Sequence, residues 1–353
     1  MSEIFRKLAS IRTISAIEPI EGADRIVLYK IDGWNVISQK DAFVVGDLCI
    51  YFEIDSFLPV RPAFEFLRKN CFKTTKNLGD GFRIKTMKMK GVVSQGLILP
   101  ISDISGMVPV DVNVSFCDGD DLTELLSVQK YEKPIPNHLQ GKIRGNFPSF
   151  IPKTDQERIQ NIRRSDLDRH MRTNFELTTK MDGSSMTVYW KDGYFGVCSR
   201  NLDLKDETLD GGGENIFWKV AKGLLLDKRE NVDNIAIQGE LVGPGMNGNR
   251  ARFDRHHFFV FDVWDITTHS YLSSKERIIL CAKLGLEHVP VIKNVQFGYF
   301  LPDKEFLLEY AEEVTTKNEV GLELPGEGFV AKSEDGSFSW KAISNKYLLE
   351  SED

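Results

Sequence analysis

The stretch Phe175-Glu176-Leu177-Thr178-Thr179-Lys180-Met181-Asp182-Gly183, followed by Ser184-Ser185-Met186-Thr187-Val188-Tyr189-Trp190, decides how this chain is read. Phe175–Thr179 and Met186–Trp190 are rich in β-branched and aromatic residues and predict two strands. Asp182-Gly183 is the turn signal between them, and its glycine lets the chain bend away. Lys180 is thereby left at a strand end, where its amine can project into a pocket. An ammonium is a poor nucleophile, and cationic neighbours or metal ions depress its pKa. On its own K-x-D-G is a common string, and its plain reading is a strand end and a turn.

What accompanies Lys180 gives the string weight. Trp190-Lys191-Asp192-Gly193-Tyr194 predicts a tight hairpin into a strand at Tyr194–Ser199. Folding that hairpin back brings Ser199-Arg200-Asn201 towards Lys180, with Arg200 as a nearby cation or a plain surface arginine. A strand at Ile235–Leu241 carries Glu240 into the glycine-rich bend Gly243-Pro244-Gly245. A carboxylate there can meet a sugar hydroxyl or a hydrated metal, or can be an edge-strand glutamate. In the strand Phe258–Asp265, Phe259 and Phe261 share one face, to stack on a purine or to fill a core. Strands at Gly328–Lys332 and Phe338–Ile343 flank the hairpin signal Asp335-Gly336, with Glu327 at the start, Lys332 and Lys341 within, and Lys346 following. Carboxylates for Mg²⁺ and lysines for phosphate are what phosphoryl transfer from ATP requires. No G-x-x-x-x-G-K-[ST] loop exists, so a nucleotide would bind in a sheet-lined cleft.

Ahead of this region, roughly the first 125 residues read as short strands: Ile11–Ile17, Ile26–Ile31, Trp34–Ser38, Cys49–Glu53 and Val92–Leu97. Close turn signals between short strands predict a small barrel or sandwich. Gly22-Ala23-Asp24-Arg25, Asp32-Gly33-Trp34 and the run from Gly46-Asp47 to Phe57-Leu58-Pro59 resemble small OB-type barrels of tRNA-binding proteins. A short helix is expected at Asp120–Val128. Lys133-Pro134-Ile135-Pro136-Asn137 then marks a boundary, because prolines at this spacing break helix and sheet alike. The expected organisation is a barrel over residues 1–130, a linker over 131–147 and a second domain over 148–353. In that domain Thr154-Asp155-Gln156-Glu157 has the form of a capping box, predicting a helix to about Arg164. Further helices are expected at Asn215–Leu226, at Ser274–Leu284 behind a Ser273–Glu276 capping box, and at Lys304–Glu313. The whole is a strand-rich α+β chain.

Bulk properties narrow the setting. With 353 residues, 41% hydrophobic and 27% charged, the chain suits two ordinary domains. No apolar run reaches the roughly 18–20 residues of a membrane span. The start MSEIFRKLAS lacks the apolar core of a secretory signal. Five scattered cysteines without C-x-x-C spacing favour reduced thiols and an intracellular, non-secreted setting. The six histidines lack metal-ligand spacing; adjacent His256-His257 would point to opposite faces of a strand. Net charge is −7, yet Arg61–Lys90 alone carries +7 and leaves −14 elsewhere. Its nine bases (Arg61, Arg68, Lys69, Lys73, Lys76, Arg83, Lys85, Lys88, Lys90) interleave with Phe64, Phe66, Phe72 and Phe82. That mixture suits base stacking as well as a plain solvated face.

In their order, these residues resemble the signature of covalent nucleotidyltransferases, that is, ligases and mRNA capping enzymes. Lys180-Met181-Asp182-Gly183 resembles motif I, Ser199-Arg200 motif Ia, Gly239-Glu240 motif III, and Phe259-Val260-Phe261-Asp262 motif IIIa. Glu327-Gly328-Phe329-Val330-Ala331-Lys332 resembles motif IV and Trp340-Lys341 motif V. Two strings are similar to RNA-editing ligases and phage type-2 RNA ligases: Phe147–Asp155 with Glu157-Arg158, and Gln238–Gly245. An OB-like unit in front, with Asp353 soon after motif V, resembles RNA ligases of the Naegleria and Deinococcus type. The resemblance implies antiparallel sheets with flanking helices in the second domain. It implies an ATP-dependent RNA ligase that joins 3′-OH and 5′-phosphate ends, at nicks in duplex RNA or RNA/DNA hybrids, as a monomer away from membranes. Lys180 would take AMP from ATP with Mg²⁺ or Mn²⁺ present. Asp182 and Glu327 would hold metal-bound waters, and Glu240 the ribose or a metal water. Arg200 would meet the ribose or the 5′-phosphate, Phe261 would stack on adenine, and Lys332 and Lys341 would bind phosphates. Relatives have a glutamate where Thr179 stands by the adenine, and a second motif V lysine where Ile343 stands, a place Lys346 would take. Other members of the superfamily remain as alternatives: a DNA ligase, a GTP-using capping enzyme, or a catalytically silent RNA-binding protein.

Overall fold

Breaks in two expected strands shape the first unit. The run Ile11–Ile17 is interrupted at Ile14-Ser15 and becomes Ala9–Thr13 and Ala16–Pro19, which lie in different sheets. The bend is satisfied from elsewhere: Ser15 N donates to the Lys30 carbonyl at 2.8 Å, and the Ile14 carbonyl accepts from Gly46 N at 2.9 Å. Val92–Leu97 divides into Val92–Gln95 and Leu97–Pro100 at Gly96, whose φ is 114° and where a Cβ would collide with the Tyr51 ring.

This is a computed structural model, and it describes residues 7–75, 77–107, 115–131, 143–206, 215–230, 232–300 and 303–351. Lys76 and the proline-rich boundary at 133–137 lie outside the described residues. The chain divides into two units, Met1–Pro134 with Leu348–Asp353, and Ile135–Tyr347.

In the first unit short antiparallel strands form small sheets: Ala9–Thr13, Leu48–Phe52 and Leu97–Pro100; Ala16–Pro19, Ile26–Ile31 and Trp34–Gln39; Thr86–Met89 with Val92–Gln95. A fourth holds Gln129–Lys130, Ser56–Pro59, Gly79–Arg83 and Phe72–Thr75. They wrap a core that includes Ile11, Ile50, Phe52, Phe64 and Phe82. Asp120–Val128 is not a helix but a single turn, with Leu126 N on the Leu122 carbonyl at 2.9 Å and Ser127 at a φ of 57°. The reason is tertiary: Thr123 Oγ1 is taken by Leu8 N and Ala9 N, and Leu122, Leu126 and Val128 fill the core. The interleaved aromatics of the basic segment are mostly structural. Phe64 and Phe82 are fully buried, Arg68 lies over the Phe72 ring while paired with Glu65, and only Phe66 stands well out into solvent.

Among the described residues the second unit holds the two-stranded pair Thr315–Lys317 with Glu323–Pro325 and two large sheets. One runs Ile143–Asn146, Leu202–Leu204, Tyr194–Ser199, Ser184–Lys191, Ile235–Val242, His257–Asp265, Ser270–Tyr271, with Glu287–His288 also beside His257–Asp265. The other runs Glu157–Arg158, Ser339–Ile343, Gly328–Ser333, Asn174–Thr179, Val291–Gln296. Alternation sorts their side chains. Met186, Val188, Trp190, Ile237 and Leu241 pack under the helices Ile216–Gly223 and Ser274–Leu284. Phe175, Leu177, Phe329, Ala331 and Trp340 pack under Lys304–Glu313. The residues between them, Glu176, Thr178, Lys332, Gln238 and Glu240, are left for the inner faces.

Most predicted elements form near their expected bounds, including the capping box of Ser273 with Glu276. Asn215 proves to be the N-cap of its helix, accepting from Trp218 N at 3.0 Å, and that helix ends at Gly223. The helix expected from Thr154 does not form. Glu157–Arg158 is instead a strand parallel to Trp340-Lys341, and Glu157 Oε1 accepts from Asn161 Nδ2 at 2.9 Å rather than capping Thr154. A helix follows only at Arg164–Arg169, because Ile159 and Ile162 are drawn into the core first. Cysteines 49, 71, 117, 198 and 281 are free thiols. Among the described residues no helix is long and apolar enough to cross a membrane.

The Phe329 ring is fully buried between Tyr310 and Trp340, one residue past Gly328. Phe329→Ala is expected to cost about 3–5 kcal/mol in urea unfolding followed by circular dichroism. An unchanged midpoint would contradict this core.

Candidate active site

Lys180 follows the last residue of the strand Asn174–Thr179. Its position is clamped by backbone bonds: Thr179 N to the Pro290 carbonyl and Lys180 N to the Gly328 carbonyl, both 2.9 Å. Met181 is buried with Val242, Phe253 and Val289. Gly183 is required by close approach, since a Cβ there would strike the Leu241 carbonyl of the next strand. Leading into Lys180, Thr179 shares the core face of Phe175 and Leu177 and is buried, so its side chain is not among those facing the cleft.

The Lys180 ammonium lies 2.6 Å from Glu327 Oε2. Burial presses its pKa down, but Glu327, Glu240 and Asp182 outweigh that and hold it above the ordinary lysine value. Neighbouring acids therefore set its proton affinity, and not Arg200 as the hairpin suggested. Burial pushes the Glu240 carboxyl up to about 8; Lys180 opposes the shift, Glu327 and Asp182 add to it, and Arg200 opposes it.

Asp182 is held unevenly. Its Oδ1 accepts from the Tyr347 hydroxyl at 2.7 Å and from Asn247 Nδ2. Its Oδ2 is buried with no hydrogen-bond partner, the nearest cation being Arg250 Nε at 3.9 Å. Arg250 also lies over the Tyr347 ring, 4.8 Å from its centre. Asp182, Arg250, Glu327 and Tyr347 border a small hollow of about 10 Å³.

Phe261 owes its aim to a bulge. Gln238 pairs with Asp262 and Gly239 with Val260, so Phe261 is the extra residue between them. Val260 and Val263 stay in the core while Phe261 is half-buried outside it. Lys332 reaches under this bulge, 2.6 Å from Asp262 Oδ1 and donating to the Phe261 carbonyl at 2.8 Å. Arg277 joins Asp262 to Glu176, completing a buried network. Lys332 is thus held against the Phe261 strand. Burial lowers its pKa, Asp262 raises it and Arg277 lowers it further.

Lys341 and Arg200 meet on one carboxylate: each donates to Asp155 at 3.2 Å, through Oδ1 and Oδ2 respectively. The Asp155 segment is fixed by Gln238 Nε2 on the Pro152 carbonyl at 2.8 Å and by Lys153 on Asn201 at 3.2 Å. Lys346, expected in place of the second lysine absent at Ile343, is exposed and faces Glu312 at 3.7 Å. Of the expected residues, then, Lys180, Asp182, Glu240 and Glu327 come together, with Phe261, Arg200 and Lys341 on the same inner faces. Asp155, Asn247, Arg250 and Tyr347 were not foreseen. Their signal was weak: Asn247-Gly248-Asn249-Arg250 follows the flagged glycine bend, and Tyr347 is the residue after Lys346.

Among the described residues no three His, Cys, Asp or Glu side chains converge to hold a bare ion. The residues suit a hydrated one. Asp182 Oδ2 is an orphaned buried acceptor, and burial raises the Glu240 pKa with Glu327 and Asp182 adding to it, a load of acids that a cation would relieve.

The Glu240 shift has a consequence for stability. With its folded pKa raised from 4.5 to about 8, Glu240 stabilises the fold at low pH and loses that contribution as pH climbs through this window. Without nucleotide, the wild type is expected to lose stability relative to Glu240→Gln between pH 4.5 and 8. Parallel stability curves for the two proteins would contradict the shift.

Comparison with known proteins agrees with this geometry. An OB-fold domain family matches residues 8–101, and the RNA ligase family matches residues 173–347. No curated protein gives a significant match. Among solved structures, Naegleria gruberi RNA ligase is similar over nearly all of both chains. An apo mutant shares 36% identity with a TM-score of 0.83, covering 97% of each chain. A mutant with ATP and Mn shares 36% at a TM-score of 0.83, covering 97% of this chain and 98% of that one. The form with PPi shares 36% at 0.81, with coverage of 97% and 98%. With an OB-fold domain ahead of this lysine-centred cleft, the chain belongs to the RNA ligase family.

Proposed function

We propose that this RNA ligase uses ATP to seal 3′-OH/5′-phosphate RNA ends, at nicks in a duplex, through a lysyl-AMP intermediate. The carrying observation is the Lys180 ammonium 2.6 Å from Glu327 with Glu240 and Asp182 close by. The Naegleria gruberi structures with ATP and Mn, and with AMP and Mn, support the same nucleotide and metal here.

In the first step Lys180 Nζ gives up a proton and attacks the α-phosphorus of ATP, forming a P–N bond as pyrophosphate leaves. Glu327, in contact with the ammonium, is the acceptor within reach. Asp182, Glu327 and Glu240 would hold a hydrated Mg²⁺ or Mn²⁺ through its waters, and its positive charge would lower the lysine's pKa and offset charge on the phosphates. Phe261 stacks on adenine, and Glu240 faces the ribose. Arg200 and Lys341 take phosphate oxygens in place of Asp155. In the second step an oxygen of the RNA 5′-phosphate attacks the AMP phosphorus and Lys180 departs. In the third the 3′-hydroxyl attacks that 5′-phosphate and AMP leaves.

Residues 148–353 carry this chemistry in our reading, and residues 1–130 hold the duplex, acting intracellularly as a monomer. The exposed bases Lys69, Lys73 and Lys88 suit contact with the phosphate backbone.

With α-labelled ATP and Mg²⁺ or Mn²⁺, wild type is expected to become covalently labelled and Lys180→Ala to stay unlabelled. GTP should not replace ATP, and nicked RNA should be sealed faster than nicked DNA. A chain that takes no label, or a Lys180→Ala protein labelled like wild type, would overturn the mechanism. Replacing Lys69, Lys73 and Lys88 by alanine is expected to weaken nick binding and to flatten its salt dependence by about one unit of log–log slope for each lysine that meets a phosphate. An unchanged slope would remove these lysines from the interface.

A further inference from the structure

We propose that Tyr347 and Asn247 are positioning residues for the reaction: they pin one oxygen of Asp182 so that the other is presented to a metal-bound water. This rests on the reading of Asp182 as a holder of such a water. Two donors converge on Oδ1, the Tyr347 hydroxyl at 2.7 Å and the Asn247 amide. Oδ2 is buried and lacks any hydrogen-bond partner. A buried carboxylate oxygen left so costs free energy unless a ligand completes it. Fixing Oδ1 removes rotation about the carboxylate and defines where Oδ2 points. The effect is that of second partners around metal sites, which orient the groups in contact with the metal or its waters.

Both donors are themselves braced. Tyr347 sits in the first turn of the helix Asn345–Ser351, whose opening amides are capped twice. Ser344 Oγ accepts from Tyr347 N at 3.1 Å; Glu312 Oε1 accepts from Asn345 N at 2.6 Å and Lys346 N at 3.3 Å, and Glu312 Oε2 from the Ser344 hydroxyl at 2.9 Å. Asn247 belongs to the loop after the Glu240 strand. That loop is folded on itself by Met246 N to the Gly243 carbonyl at 3.0 Å and Asn249 N to the Met246 carbonyl at 2.7 Å. Asn249 further holds both N and O of Phe253, at 3.0 and 2.8 Å. Asp182 is therefore gripped between a capped helix and a self-bonded loop. The loop after the Glu240 strand and the segment after the Lys341 strand are tied together at one carboxylate.

The test measures Mn²⁺ binding in the presence of ATP by electron paramagnetic resonance, in full-length protein carrying Lys180→Met so that no chemistry intervenes. Tyr347→Phe is expected to raise the Mn²⁺ concentration for half-occupancy about five- to tenfold, and Asn247→Ala to shift it in the same direction. Asp182→Asn should shift it at least as far, and adding Tyr347→Phe to Asp182→Asn should produce no further change. Thermal midpoints and ATP binding without metal are measured alongside, and both should match the parent for Tyr347→Phe. If Asp182→Asn shifts Mn²⁺ binding but Tyr347→Phe does not, or adds its own full effect on top, the positioning role is wrong while the metal reading stands. If Asp182→Asn leaves Mn²⁺ binding unchanged, the metal reading of Asp182 falls and the positioning role falls with it.

Discussion

In the second unit three acids, Glu327, Glu240 and Asp182, close round a single lysine ammonium. They raise its pKa, and Glu327 and Asp182 add to the rise at Glu240. A lysine so placed is held in its charged, unreactive form. The same crowding makes the cleft a poor place for further negative charge and a good one for a cation. In the proposed mechanism, the nucleophile and the demand for a metal are thus two consequences of one electrostatic arrangement. ATP without a cation would bring more negative charge to the acids, and a cation without ATP would face the ammonium at close range. Their joint arrival resolves both conflicts.

The sheets make this arrangement sustainable. Each acid or base stands on a strand whose alternate residues are locked into an aliphatic and aromatic core, so its direction is set by packing. Glu240 is flanked on its strand by core residues such as Leu241, and Glu327 precedes the strand that buries Phe329. Gly183, Gly239 and Gly328 each occupy points where a Cβ would meet a neighbouring carbonyl, and Gly328 does so at a φ of 131°. The conformations next to Lys180, Glu240 and Glu327 therefore depend on glycine for space.

Much of this was legible in the sequence. In the second unit the strands that alternation predicts lie within a residue or two of their bounds, because alternation reports burial directly, whereas Ile143–Asn146, Leu202–Leu204 and Val291–Gln296 carry no such signal. The ordered set Lys180, Glu240, Glu327 and Lys341 indicated the cleft. Legibility failed where a residue's role is set by a partner distant in sequence. Thr154–Glu157 has the form of a helix cap, yet its aspartate serves Arg200 and Lys341 and its glutamate opens a parallel strand. Phe261 was placed by strict alternation, whereas a one-residue bulge gives it its aim. Phe64 and Phe82 looked like stacking platforms among lysines, but the first unit needs them for its core. Tyr347 carries no local signal, since only the folded chain brings it to Asp182.

The resting cleft already pairs most of its cations, and the strength of each pairing decides which of them a nucleotide can recruit. The Asp155 bridge joins a carboxylate and an arginine that are both about half exposed, at 47% and 56%, to a lysine at 16%. Pairs this wet contribute only about 0–1 kcal/mol, so an incoming phosphate with more charge can displace Asp155 at little cost. Lys332 and Asp262 are only 10% and 8% exposed, and Arg277 and Glu176 reinforce them. Separating such a pair leaves a buried charge uncompensated, at a cost of roughly 3–5 kcal/mol. In the proposed mechanism, Arg200 and Lys341 are therefore the cations open to exchange. Lys332 is tied to the bulged strand that carries Phe261.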